Sequence, residues 1–128
     1  MVFMATPTAT PAAVPLPLLG LVGYQEGAVV SRILLKGAGG TLTLFAFDVG
    51  QALSEHTAPF DAMVHVLEGE AEVTIAGITL KASAGESVLM PANQPHAIHA
   101  PTRFKMLLTM IRSDKTISSG PPPPRHTP

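Results

Sequence analysis

The chain has 128 residues, enough for one domain with a hydrophobic core. Basic and acidic residues are mixed and the net charge is −1, so no run of charge suits nucleic acid or an anionic membrane surface. It has no cysteine, which excludes disulfides, thiolate ligands and cysteine nucleophiles, and no Trp, so the core must come from aliphatic residues, Met and five Phe.

Residues 1–20 read as a loosely ordered arm of Ala, Thr and Pro. Pro7, Pro11, Pro15 and Pro17 oppose a helix or a central strand. The apolar run Pro11–Val22 is too short to span a membrane and is interrupted by Pro15 and Pro17. No positive charge precedes it, so it does not read as a secretory signal and the expected location is cytoplasmic. Leu16, Leu18 and Leu19 are expected to pack on the domain or on a second copy.

From Val29 onward the pattern is β throughout. Strands are expected at Val29–Leu35, Thr41–Val49, Ala62–Leu67, Glu70–Ile75, Ile78–Lys81, Ser87–Met90, Ala97–Ala100 and Phe104–Ile111, separated by turns such as Gly37–Gly40, Glu68–Gly69 and Ala76–Gly77. In Glu70–Ile75 the residues Glu70, Glu72 and Thr74 alternate with Ala71, Val73 and Ile75, the signature of a half-buried strand. No window holds a helical period. Short strands at this spacing predict a sandwich or barrel over 21–114. Met63, Met90, Met106 and Met110 read as packing residues, since Met fills irregular gaps. Residues 115–128, with Pro121 to Pro124, read as a proline-rich disordered tail.

Five histidines are present: His56, His65, His96, His99 and His126. His126 lies in the proline tail and is set aside. Gly50 precedes His56 by six positions, and Gly69 closes that segment. Downstream, Gly85, Pro91 and His96 form a second group, in which Asn93 can take a left-handed backbone. The two groups resemble the paired signature motifs of the cupin family over roughly residues 25–113. Leu44–Asp48, Glu55–Ala62 and Phe104–Arg112 also resemble small single-domain bacterial cupins.

That resemblance implies an all-β fold, the double-stranded β-helix or jelly-roll barrel. It also implies a pocket in which three His and a carboxylate hold Fe, Mn, Ni or Zn. Here Ala58 stands at the second His position and Ala62 at the Glu position, leaving His56 and His96 as a partial metal site. Replacements are out of register. Asp61, His65, His99 and Glu55 each have the parity of the opposite sheet face.

The expected pocket wall is His56, Ala58, Ala62, Val64, Met90, His96 and Met106. Two readings of function stay open. In one, the barrel binds a small organic molecule with at most a weak metal site, because the two alanines open an apolar pocket. In the other it is an enzyme. It would be either metal-dependent, of the dioxygenase or isomerase type implied by the resemblance, or metal-free, with His56 or His96 as the acid–base group. A homodimer is expected, because Val29–Leu35 and Leu42–Phe47 are apolar on both faces. No GxSxG, phosphate-binding glycine loop or HExxH is present.

Overall fold

The computed structural model describes residues 2–6 and 9–113, and of the side chains in 2–6 only that of Met4. The expected proline-rich tail and His126 lie outside the described residues. The elements are β1 (Val2–Thr6), a 3-10 turn (Leu18–Gly20), β2 (Ala28–Gly37), β3 (Gly40–Phe47), β4 (Ala52–His56), β5 (Phe60–Glu68), β6 (Glu70–Ile75), β7 (Ile78–Ser83), β8 (Ser87–Met90), β9 (His96–His99) and β10 (Phe104–Arg112). The strands form two sheets, ordered β1-β2-β3-β10-β5-β8 and β4-β9-β6-β7. Every pair is antiparallel except β1 with β2. This is the expected all-β jelly-roll.

Alternation builds the space between the sheets. Phe45 and Phe47 of β3, Ala62, Val64 and Val66 of β5, and Phe104, Met106 and Leu108 of β10 face Ala71 and Val73 of β6 and Ile98 of β9. At one end the Phe47 and Phe104 rings stack with centroids 4.4 Å apart. Full burial of each such side chain contributes about 1.5–3 kcal/mol. Gly69, in the β5–β6 hairpin at this end, has φ 78°. A Cβ there would stand 2.1 Å from the Arg103 carbonyl oxygen, so no other residue fits.

The outer face of the large sheet carries a second apolar layer. Val30, Leu44 and Ala46 are buried there together with Val22, and Leu18, Leu21 and Tyr24 pack around them. Polar bonds pin this covering segment. Lys105 Nζ donates to the Leu19 carbonyl at 2.6 Å, and the Tyr24 hydroxyl donates to Glu68 at 2.5 Å. Burial, then the Glu68 carboxylate, push the Tyr24 hydroxyl far above its usual pKa. Asp48 accepts from the Gly27 N–H at 2.7 Å and from Arg103 Nε at 2.8 Å. These bonds, the Gly27 N–H foremost, hold its carboxyl below the usual carboxylate range.

The fold departs from expectation in four places. The segment expected to be a loose arm contributes β1, an edge strand beside β2 that ends before Pro7. An edge position needs donors on one side only, so the nearby prolines do not forbid it. Ala52–His56 forms β4 although its residues carry no strong strand preference; pairing with β9 supplies it. The outer face of β2 and β3, expected to need a second copy for cover, is partly covered by Leu18–Tyr24 of the same chain. Met63, expected in the core, stands on the outer face and is 40% exposed.

Candidate functional site

His56 ends β4, and His96 opens β9 directly opposite it. Between the pairs Leu53–Ile98 and His56–His96, β4 advances three residues while β9 advances two. This bulge keeps both Leu53 and His56 on the inner face. Ser54 and Glu55 border the cavity beside His56.

The turn Pro91–Pro95 aims His96. Asn93 takes φ 65°, the left-handed conformation expected of it. Its N–H donates to the Ala58 carbonyl at 2.8 Å. Asp61 is occupied in the same support, accepting from the Ala92 N–H at 2.9 Å. His65 and His99 point outward as their parity requires. His65 Nδ1 meets Ser87 Oγ at 2.7 Å, and His99 Nδ1 meets Glu72 at 2.9 Å.

The two site rings meet edge to face, with centroids 4.4 Å apart. Their Nε2 atoms are 3.2 Å apart. Each Nδ1 faces a backbone carbonyl, that of Ser54 at 2.9 Å for His56 and that of Gln94 at 3.1 Å for His96. His56 is exposed at the mouth, and His96 is buried. Burial lowers the His96 pKa below the usual imidazole range; the Gln94 carbonyl opposes this and a charge on His56 adds to it.

Both rings border a cavity of about 430 Å³. Its wall includes Ala58, Ala62 and Met90, as expected, and also Phe45, Leu53, Phe60, Ile98, Leu108 and Met110. Val64 and Met106 do not line it. They lie on the expected face but deeper. Val64 is two residues along β5 from Ala62, Met106 pairs with Phe45 and Val66, and neither is exposed. Strand parity assigns a face, while depth depends on where the neighbouring side chains stop filling the barrel. Leu108 and Met110 share the parity of Met106, so the sequence held a signal for them.

Two imidazoles sharing an ion at 2.0–2.1 Å would hold their nitrogens about 3–3.4 Å apart, which the observed pair matches. Among the described residues no group of three or more His, Cys, Asp or Glu is placed to hold a metal. Ala58 and Ala62 occupy the positions where the family resemblance puts ligands, and Asp61 is tied to the turn. The residues present do not fit a tightly held resident metal.

Comparison with known proteins agrees with this architecture. The family model described as a cupin domain matches residues 43–112. A conserved protein of unknown function from Streptococcus pyogenes is similar at 33% identity and TM-score 0.79, over 89% of this chain and 97% of that one. A cupin superfamily protein from Desulfitobacterium hafniense is similar at 30% identity and TM-score 0.77, over 83% of this chain and 97% of that one. A cupin 2 conserved barrel domain protein from Leptotrichia buccalis shares 40% identity, over 71% of this chain and 44% of that one, with TM-score 0.69. No curated protein matches the chain. The chain belongs to the cupin family. Among the described residues no helix is long and apolar enough to cross a membrane.

Proposed function

We propose that the barrel binds a small organic molecule, held by its apolar body and oriented by His56 and His96, without a tightly held metal. The observation that carries this is the cavity itself. Its volume of about 430 Å³ falls within the usual range for small-molecule sites, about 300–1,000 Å³. Its wall is apolar apart from a few groups at the mouth, chiefly the convergent histidines. The test is a ligand screen by protein-observed NMR on the full chain, run beside the variant Ala62→Phe, which fills the cavity. Ligands that perturb the wild type and not the variant support the reading. A screen in which the variant responds like the wild type overturns it. Metal analysis of untagged protein grown with Fe, Mn, Ni and Zn should give far less than one ion per chain, and near-stoichiometric metal would favour a metalloenzyme.

The His96 environment favours a second reading, a metal-free acid–base enzyme. A buried imidazole with a lowered pKa is neutral near pH 7 and available as a base. A substrate whose turnover is lost in His96→Gln while binding persists would select it.

The reading extends to a homodimer. Ile33, Leu35, Met63, Leu89 and Ile111, all on the large sheet, remain 40–65% exposed. Such apolar surface supports pairing of two copies. Light scattering that returns a monomer mass at micromolar concentration would refute it.

A further inference from the structure

The rim of the cavity carries a cation whose place is set by the sheet. On the inner face of the large sheet, Ala62 of β5 pairs with Met110 of β10, and both border the cavity. Two residues outward on each strand, and so on the same face, Phe60 pairs with Arg112. Phe60 also lines the cavity. The Arg112 guanidinium stands over the Phe60 ring, 5.7 Å from its centroid. A guanidinium resting on an aromatic ring keeps its fork of N–H donors available for a carboxylate. Among the described residues no carboxylate pairs with Arg112, whose side chain is exposed; the ion pairs there join His99 with Glu72 and Arg103 with Asp48. The cavity wall itself holds no Lys or Arg.

The deeper wall turns a charged head away. The side chains of Phe45, Ile98 and Leu108 offer neither a hydrogen bond nor a counter-charge. A ligand that places an apolar body against them therefore presents its polar end at the mouth. From this we infer that the ligand is a small organic acid, with an apolar body in the barrel and a carboxylate at the rim, and that Arg112 selects the acid. The inference rests on the binding reading given above and names the head group. A carboxylate accepts two parallel N–H bonds from one guanidinium, a fit that neither an alcohol nor an amine offers. Glu55 borders the mouth from β4 and favours the opposite head, an ammonium. The Arg112 cation has a seat on a cavity-lining ring, whereas no hydrogen bond or ion pair among the described residues holds the Glu55 carboxylate.

The test compares three probes that share one apolar body: 3-phenylpropanoate, 3-phenylpropan-1-ol and 3-phenylpropylammonium. Each is titrated by calorimetry and NMR against the full chain after EDTA treatment, at pH 8, above the usual imidazole value of about 6.5. The acid should bind about three- to tenfold tighter than the alcohol, and the ammonium weakest. The advantage of the acid should shrink as salt is raised, because Arg112 is exposed. In Arg112→Gln the acid should fall to the affinity of the alcohol or below, while the alcohol keeps its own. Unchanged alcohol binding shows that the variant is folded with its cavity intact. Arg112→Lys should recover part of the advantage, since it restores the charge without the fork.

Equal binding of acid and alcohol by the wild type overturns the inference and leaves the apolar cavity reading standing. So does an acid preference that survives in Arg112→Gln, which would assign the head to another group. An acid preference that appears only when a divalent metal is added back also overturns it. Tightest binding by the ammonium overturns it in favour of Glu55. If none of the three binds at millimolar concentration, the small-molecule reading fails as well. Should Arg112→Gln not fold, Arg112→Lys and the salt series on the wild type decide the outcome.

Discussion

The two ends of the barrel are built by the same strands and differ in what fills them. At one end, Phe47, Phe104, Val66, Ala71 and Met106 are fully buried, and two phenyl rings stack. At the other, the same β5 carries Ala62 and the same β9 begins with His96, and a cavity of about 430 Å³ opens between them. The sheet that binds these ends together is continuous. β10 runs from Phe104 at the packed end to Met110 at the hollow end. Stability and function are therefore separated along single strands. The packed end sets the register, which fixes the direction of side chains at the hollow end without requiring that end to be filled.

Substitutions at matched positions break that comparison most directly. Phe104→Ala removes half of the stacked pair and leaves a cavity in the closed end. It should cost about 3–5 kcal/mol in chemical denaturation. A cost below about 1 kcal/mol would mean that this end is not the anchor. A gentler contrast inserts the same side chain at each end. Ala71→Phe forces a ring into full packing and should cost about 1–3 kcal/mol or more. Ala62→Phe fills existing space and should cost less than about 1 kcal/mol while abolishing ligand responses. Equal costs would show that the hollow end is no more accommodating than the packed one.

This division was legible in the sequence only in part. The histidine spacing located the pair, and Asn93 in the proline turn announced its left-handed backbone, because both are local consequences of chain geometry. The alternation in Glu70–Ile75 also carried over, with Ala71 and Val73 buried. Depth was not legible. Val64 and Met106 share a face with the cavity residues, and only the filling by Phe45, Phe47 and Phe104 decides where packing ends. The β4 bulge was hidden for a related reason. It depends on the length of β4 against β9, and nothing in Ser54–Glu55 signals it. The leucines of 16–19 announced packing, and Leu18 does pack on the outer face while Leu19 stays 45% exposed; which of them is covered was not legible, since a short irregular segment carries no period.

The turn at the hollow end offers a smaller test. Asn93 tolerates φ 65° at low cost, whereas a Cβ without a polar side chain does not. Asn93→Ala should destabilise the protein by about 1 kcal/mol, and Asn93→Gly should be nearly neutral. The alanine variant should also shift the His96 ring resonances, because the Asn93 N–H to Ala58 carbonyl bond holds the turn beside the cavity. Identical melting curves for Ala and Gly would show that the turn relaxes without strain and does not position His96.

Acid titration gives the smallest expected effect and probes the hollow end alone. Burial holds the His96 pKa below its ordinary value, so the folded chain binds this proton less readily than the unfolded chain. Above about pH 6.5, the usual imidazole value, both states are neutral at this ring and the difference costs nothing. As pH falls below that value the unfolded state gains its proton first, and stability drops until the lower folded pKa is passed. Wild-type protein should therefore melt a few degrees lower at pH 5.5 than at pH 7.5. His96→Gln removes the group and should lose less over the same interval. The interval lies above the usual carboxylate range, and Asp48 titrates below that range, so Asp48 does not contribute. If the variant loses as much as the wild type, His96 is not held neutral by burial. The hollow end would then be wetter than its apolar wall implies.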